Sequence, residues 1–93
     1  MDENNKNFVP PKADFNFFIT KLSLQTSICL GSMPNPVTQK TETDLTQAKF
    51  LIDTIGMLEE KTKGNLSEEE AKLISNLLYE LRTVYLEKSK ETK

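Results

Sequence analysis

The side chains whose types and spacing suggest chemistry fall into three small groups. The first is the run K-T-K-G-N-L-S-E-E-E from Lys61 to Glu70. Two lysines near a helix start could steady an anion, because the first N–H groups of a helix point outward and carry partial positive charge. The run also accounts for itself without a ligand. Gly64 supplies the left-handed residue that ends a helix, and Lys61 and Lys63 complement its carbonyl end. Ser67 and Glu70 have the spacing of a capping box, and Leu66 and Ala71 that of a hydrophobic staple. A phosphate loop needs several glycines, whereas here there is one, followed by Glu68 and Glu69, which repel an anion. Helix capping is therefore the reading adopted for this run.

The second group is Asp53 and Arg82. In an antiparallel hairpin turning near Gly64 they come within about one helical turn of each other, so a structural salt bridge is expected across the hairpin or across a dimer seam. As catalysts they make a poor set, with no histidine in the chain, no nucleophile–base pair and no second carboxylate at fixed spacing. The third is Cys29, placed by its periodicity beside Phe18 and Leu22, where a thiol acts as a small hydrophobe. A lone cysteine makes neither an internal disulfide nor, without partners, a metal site. The chain is expected not to be an enzyme and to carry no cofactor and no metal.

Charge and patterning narrow the partners. Twelve basic residues against fourteen acidic ones leave a net charge of −2, which lacks the basic face that phosphate neutralisation requires, so no nucleic acid is expected. No membrane is expected either, because no helix pairs an apolar face with a strongly basic one. The stretch Phe15–Leu30 is broken by Asn16, Thr20, Lys21, Ser23, Gln25, Thr26 and Ser27, too many polar residues for a bilayer span. The first twelve residues lack the basic start and apolar run of a secretory signal. A cytoplasmic location is expected by elimination, and the N-L-S triplet at Asn65 then has no meaning as a glycosylation acceptor.

These residues must be positioned by helices, since no strand-like alternation, internal repeat or low-complexity tract occurs. Residues 1–13 read as a flexible arm in which Pro10 and Pro11 oppose helix formation. Residues 14–88 form a single helical domain, and 89–93 a frayed tail. Asp14 caps a first helix that runs to about Leu30 and ends at Gly31. Thr43 or Asp44 caps a second helix running to Lys63, and Ser67 a third reaching about Lys88. The fold class is all-α, a three-helix unit dominated by a long antiparallel hairpin of helices two and three.

Placing apolar residues at 100° intervals gives each helix more grease than one contact needs. Helix one carries Phe15, Phe18, Ile19, Leu22, Cys29 and Leu30 on one face, with Phe17, Leu24 and Ile28 almost opposite. Helix two presents Leu45, Ala48, Leu51, Ile52, Ile55 and Leu58, with Phe50 and Met57 outside that face. Gly56 costs about 1 kcal/mol relative to alanine in a helix and is expected to mark a close helix crossing. Helix three presents Ala71, Leu73, Ile74, Leu77, Leu78, Leu81, Val84 and Tyr85, leaving Tyr79 and Leu86. The leftover set (Phe17, Leu24, Ile28, Phe50, Met57, Tyr79 and Leu86) is the candidate dimer interface, because soluble monomers rarely expose one apolar patch of that size. A homodimeric helical bundle is expected.

The Gly31–Thr43 connection is long enough to suggest a function. Met33, Pro34, Asn35 and Pro36 are the candidate partner or ligand loop, with proline-restricted positions on either side of Asn35. The competing reading is a lid, with Met33 and Val37 docked on one end of the bundle.

Four blocks in this order resemble a small bacterial family known as a domain of unknown function: L-G-S-M-P-N-P at Leu30–Pro36, A-K-F-L-I-D-T-I at Ala48–Ile55, K-T-K-G-N-L-S-E-E-E at Lys61–Glu70 and L-R-T-V-Y at Leu81–Tyr85. The resemblance runs from about Phe15 to Tyr85 and implies bacterial origin and a compact, mostly helical protein. It brings no activity, substrate or catalytic residue. Two functional readings follow from the residues themselves. The first is a non-enzymatic homodimeric protein-interaction module, with a further protein partner bound at the Pro-Asn-Pro loop or a dimer groove. The alternative is a small-ligand or anion-binding protein with a pocket between the Gly31–Thr43 loop and the hairpin, drawing on Asn35, Asp53, Lys61, Lys63 and Arg82.

Overall fold

Each of the three helices begins where its capping residue stands. The structure, a computed structural model, describes Pro10 and residues 12–91. Helix α1 spans Phe15–Cys29, α2 Leu45–Lys61 and α3 Glu68–Glu91, and there is no strand among the described residues. The Asp14 carboxylate accepts from Phe17 N at 2.9 Å, and Asp44, rather than Thr43, accepts from Gln47 N at 3.1 Å. Ser67 and Glu70 form the reciprocal capping box, at 2.9 Å from Ser67 N to Glu70 Oε1 and 3.1 Å from Glu70 N to Ser67 Oγ. Those two bonds use donors that an anion at this helix start would need.

The end of α1 is a Schellman motif. Gly31 takes φ +80°, its N–H donates to Ile28 O, and Ser32 N donates to Ser27 O. Gly64 likewise takes φ +87° in the α2–α3 turn. Two helix ends differ from the sequence reading. Helix α2 stops at Lys61, not Lys63, where the Thr62 hydroxyl turns back to donate to Leu58 O. Helix α3 runs on to Glu91, so residues 89–91 are helical rather than frayed. No glycine or proline follows Lys88 to stop it, and lysines in the last turn suit its carbonyl end. Of the expected arm, residues 12–13 are non-helical and 1–9 lie outside the described residues, as do 92–93.

Helices α2 and α3 pack antiparallel, with Leu45 and Phe50 level with Tyr85 and with Glu59 level with Ser75 and Tyr79. Helix α1 packs on both. The core is Ile19, Leu30, Ala48, Leu51, Ile52, Ile55, Ile74, Leu78 and Leu81, with Leu22, Leu45, Leu58, Leu77, Val84 and Tyr85 among the partly buried side chains around it. The apolar faces read for α2 and α3 are the ones buried, except that Ala71 is exposed.

On α1 the face differs. Its buried line is Ile19, Ser23, Thr26 and Leu30, while Phe18, expected in the core, is 48% exposed. The hydroxyls explain the exchange. Thr26 Oγ1 donates to Leu22 O at 2.7 Å and Ser23 Oγ to Thr20 O at 3.0 Å, so both are buried with their donors satisfied inside the helix. These small side chains share the buried line with Ile19 and Leu30, while Phe15 and Leu22 pack at its margin and Phe17, Phe18 and Leu24 face outward. The thinnest axis of the molecule is 16 Å across Cα positions, room for two helical layers about 8–10 Å apart. No helix among the described residues is long and apolar enough to cross a membrane.

Candidate functional site

With α1 covering one side of the hairpin, the other side lies open as a shallow seam between α2 and α3. Three adjoining concavities run along it, lined by α2 and α3 residues alone. One holds Leu45, Phe50 and Tyr85, the middle one Ile52, Asp53, Arg82 and Leu86, and the last Glu59, Ser75, Tyr79 and Leu86. Phe50, Tyr79 and Leu86 line these concavities, and Met57 shares the exposed face of α2 with Phe50 without lining one. Phe50 is 62% exposed and Met57 47% on α2, and Tyr79 is 74% and Leu86 60% on α3. Each pair is seven residues apart, so it lies on one helix face.

Between each pair, on the same stripe, sits a charge: Asp53 on α2 and Arg82 on α3. The salt bridge expected between them within the subunit is not made among the described residues. Asp53 instead accepts from Lys49 Nζ at 2.9 Å, one helical turn away on its own helix. That hydrogen bond, followed by the carboxylate's charge, raises the Lys49 pKa. Arg82 lies across Gly56, where an ideal Cβ would fall 3.0 Å from Arg82 Nη2. Gly56 therefore makes room for a guanidinium, and the expected close helix crossing is not what this glycine serves.

The seven side chains read as one interface divide into two sets. Phe50, Tyr79 and Leu86 line the seam, with Met57 on the same stripe of α2 as Phe50. Phe17 and Leu24 project from the opposite side of α1 to its buried line, each close to half exposed, while Ile28, one turn beyond Leu24, is half-buried. Lys21 Nζ lies 5.8 Å from the Phe17 ring centroid, a cation–π contact on the same stripe. Phe18 adds exposed area on the flank of α1, which sequence periodicity missed because it assigns serine and threonine to the solvent side.

The Gly31–Thr43 loop is closed at its neck by Asp44 N donating to Cys29 O at 2.7 Å. Asn35 organises the interior: its Oδ1 accepts from Val37 N at 2.7 Å, and its backbone exchanges bonds with Gln39 and Lys40. The asparagine oxygen is thus spent on the loop itself. Met33 is half-buried, as a lid would require, but Val37 is 87% exposed at the tip and docks on nothing. Pro34 and Pro36 are exposed. None of the seam concavities, nor the one at the α2–α3 turn, takes a residue from this loop. The turn concavity is lined by Glu59, Glu60, Lys63, Gly64, Leu66, Ala71 and Ile74, two carboxylates against one ammonium.

Cys29 is half-buried against the core, and burial, then the nearby Asp44 carboxylate, raises its thiol pKa. A raised pKa lowers the thiolate fraction at neutral pH, and thiolate is the reactive form. Alkylation by iodoacetamide at pH 7.5 is expected to run several-fold slower in the folded chain than in urea-unfolded chain. Equal rates would show the site to be open. No group of three or more acidic or cysteine side chains among the described residues could hold a metal ion.

The family model described as "Domain of unknown function (DUF1844)" matches residues 12–87. The chain belongs to that family. The match covers all of α1 and α2 and most of α3, so the seam and the outer stripe of α1 both lie within the DUF1844 domain. No curated protein and no solved structure matches the chain.

Proposed function

We propose that this DUF1844 protein is a non-enzymatic, homodimeric protein-interaction module. The observation that carries the reading is the open apolar surface on both sides of a thin molecule: Phe17, Phe18 and Leu24 on α1, and Phe50, Met57, Tyr79 and Leu86 on the hairpin. Large exposed apolar patches on soluble proteins mark sites where something else packs. The core beneath is small, and covering one of these faces adds the burial that a domain of this size otherwise lacks. A second copy supplies a matching face at no further requirement on the cell.

The ligand-binding alternative has less behind it. Asn35, Asp53, Lys61, Lys63 and Arg82 are spread over the loop, the seam and the turn rather than converging on one pocket. Size-exclusion chromatography with light scattering tests the proposal: a mass of two chains is expected at micromolar concentration. A mass of one chain throughout the micromolar range would remove its basis.

A further inference from the structure

Resting on the homodimer reading above, the geometry points to the hairpin seam as the face that meets its own copy, with Asp53 of each chain paired to Arg82 of the other. A self-complementary face is related to its mate by a two-fold axis lying in the interface, so whatever stands opposite a residue is dictated by the direction of that axis. Two directions bring hairpin onto hairpin with the helices of both copies aligned. With the axis across the helices, α2 lies on α2 and α3 on α3. Asp53 then faces a second Asp53 and Arg82 a second Arg82, and like charges in a closing interface repel. With the axis along the helices, α2 of one copy lies antiparallel on α3 of the other. Asp53 and Arg82 sit midway along their stripes and line the same concavity, so this arrangement sets carboxylate against guanidinium twice over.

The apolar corners agree with that choice. The antiparallel hairpin places Phe50 near the level of Tyr85 and Leu86, and the Glu59 end of α2 near Tyr79. An axis along the helices keeps those levels, so Phe50 meets Leu86 of the second copy and Met57 meets its Tyr79. The second contact is of the favourable sulfur–aromatic kind.

Most of the area is at hand. Four side chains exposed by 47–74% offer on the order of 500 Å² per copy, if a large side chain presents about 200 Å². Two copies bring about 1,000 Å² from these side chains alone, and the polar side chains lining the seam must supply the rest of the roughly 1,200–2,000 Å² typical of stable interfaces. Within the subunit Arg82 has no ion pair among the described residues, and Asp53 has only an exposed one with Lys49 on its own helix, which leaves its second oxygen free for a guanidinium. Glu59 borders the seam beside Arg82 as well and is the other carboxylate that the guanidinium could reach.

The test uses the full chain with Asp53→Arg, Arg82→Asp and the double exchange, read by light scattering and analytical ultracentrifugation. Circular dichroism shows whether each variant keeps its helices. Each single reversal sets like charges against each other twice in the dimer and is expected to weaken dimerisation by at least about tenfold. The double exchange restores opposite charges and is expected to recover the wild-type dimer to within a fewfold. A dimeric wild type whose affinity is unmoved by either reversal, or a double exchange no tighter than the singles, overturns this pairing and leaves the homodimer reading intact. A monomeric wild type overturns both. If Phe17→Glu with Leu24→Glu yields monomers while the reversals do not, the dimer face is α1 and the seam assignment is overturned.

Discussion

Replacing Ile55 with alanine is expected to remove about 3–4 kcal/mol of stability, as large an effect as any single core truncation here should have. Ile55 is fully buried in the middle of α2 and belongs to the cluster that joins Ile19 of α1 to Ile74 and Leu78 of α3. The change deletes three carbons worth about 0.8 kcal/mol each in transfer, and the surrounding helices cannot close wholly over the cavity. A 93-residue domain has roughly 5–14 kcal/mol in all, so the loss is a large fraction of the total. Urea unfolding at matched protein concentration should show a lower midpoint with an unchanged slope. A loss under about 1 kcal/mol would show that α2 does not sit at the centre of the core.

The second large effect is expected at Gly31, with Gly64 as its internal control. Both take left-handed φ, at +80° and +87°, which costs an L residue about 1–2 kcal/mol. Around Gly64 a Cβ would find nothing within 4 Å, so Gly64→Ala should cost that strain alone. At Gly31 the new carbon would collide with Thr43 Oγ1, next to the residue that caps α2, so Gly31→Ala should cost about 1–2 kcal/mol more than Gly64→Ala. The two contributions separate in a double-mutant cycle. In a Thr43→Ala background the collision is gone, and Gly31→Ala should fall back to the cost seen at Gly64. Equal costs at the two glycines in the native background would refute the collision.

What the sequence disclosed was mostly punctuation. Asp14, Asp44, Ser67, Glu70 and Gly31 set helix boundaries through bonds to their near neighbours, and such bonds depend on residues within a few positions. The buried faces of α2 and α3 were also legible, since their apolar residues repeat at helical spacing. The α1 face was not. A period search counts Ser23 and Thr26 as solvent-facing, yet a hydroxyl that bonds a carbonyl of its own helix can enter a core. Phe18 was displaced to the flank as a result. The Asp53–Arg82 bridge failed inside the subunit because Lys49 lies one turn from Asp53 on the same helix, nearer than anything across the hairpin. The two-sided distribution of exposed apolar residues could be seen only once α1 had a place.

The pinned neck of the Gly31–Thr43 loop has a practical corollary. Cys29 and Asp44 hold its ends together, Asn35 folds its interior, and Val37 stands at the tip almost entirely in solvent. Lengthening such a segment changes closure entropy slowly, by about 0.6 kcal/mol for each doubling. The tip therefore offers a natural insertion point for a fluorophore or affinity tag, a handle that leaves both greasy surfaces untouched.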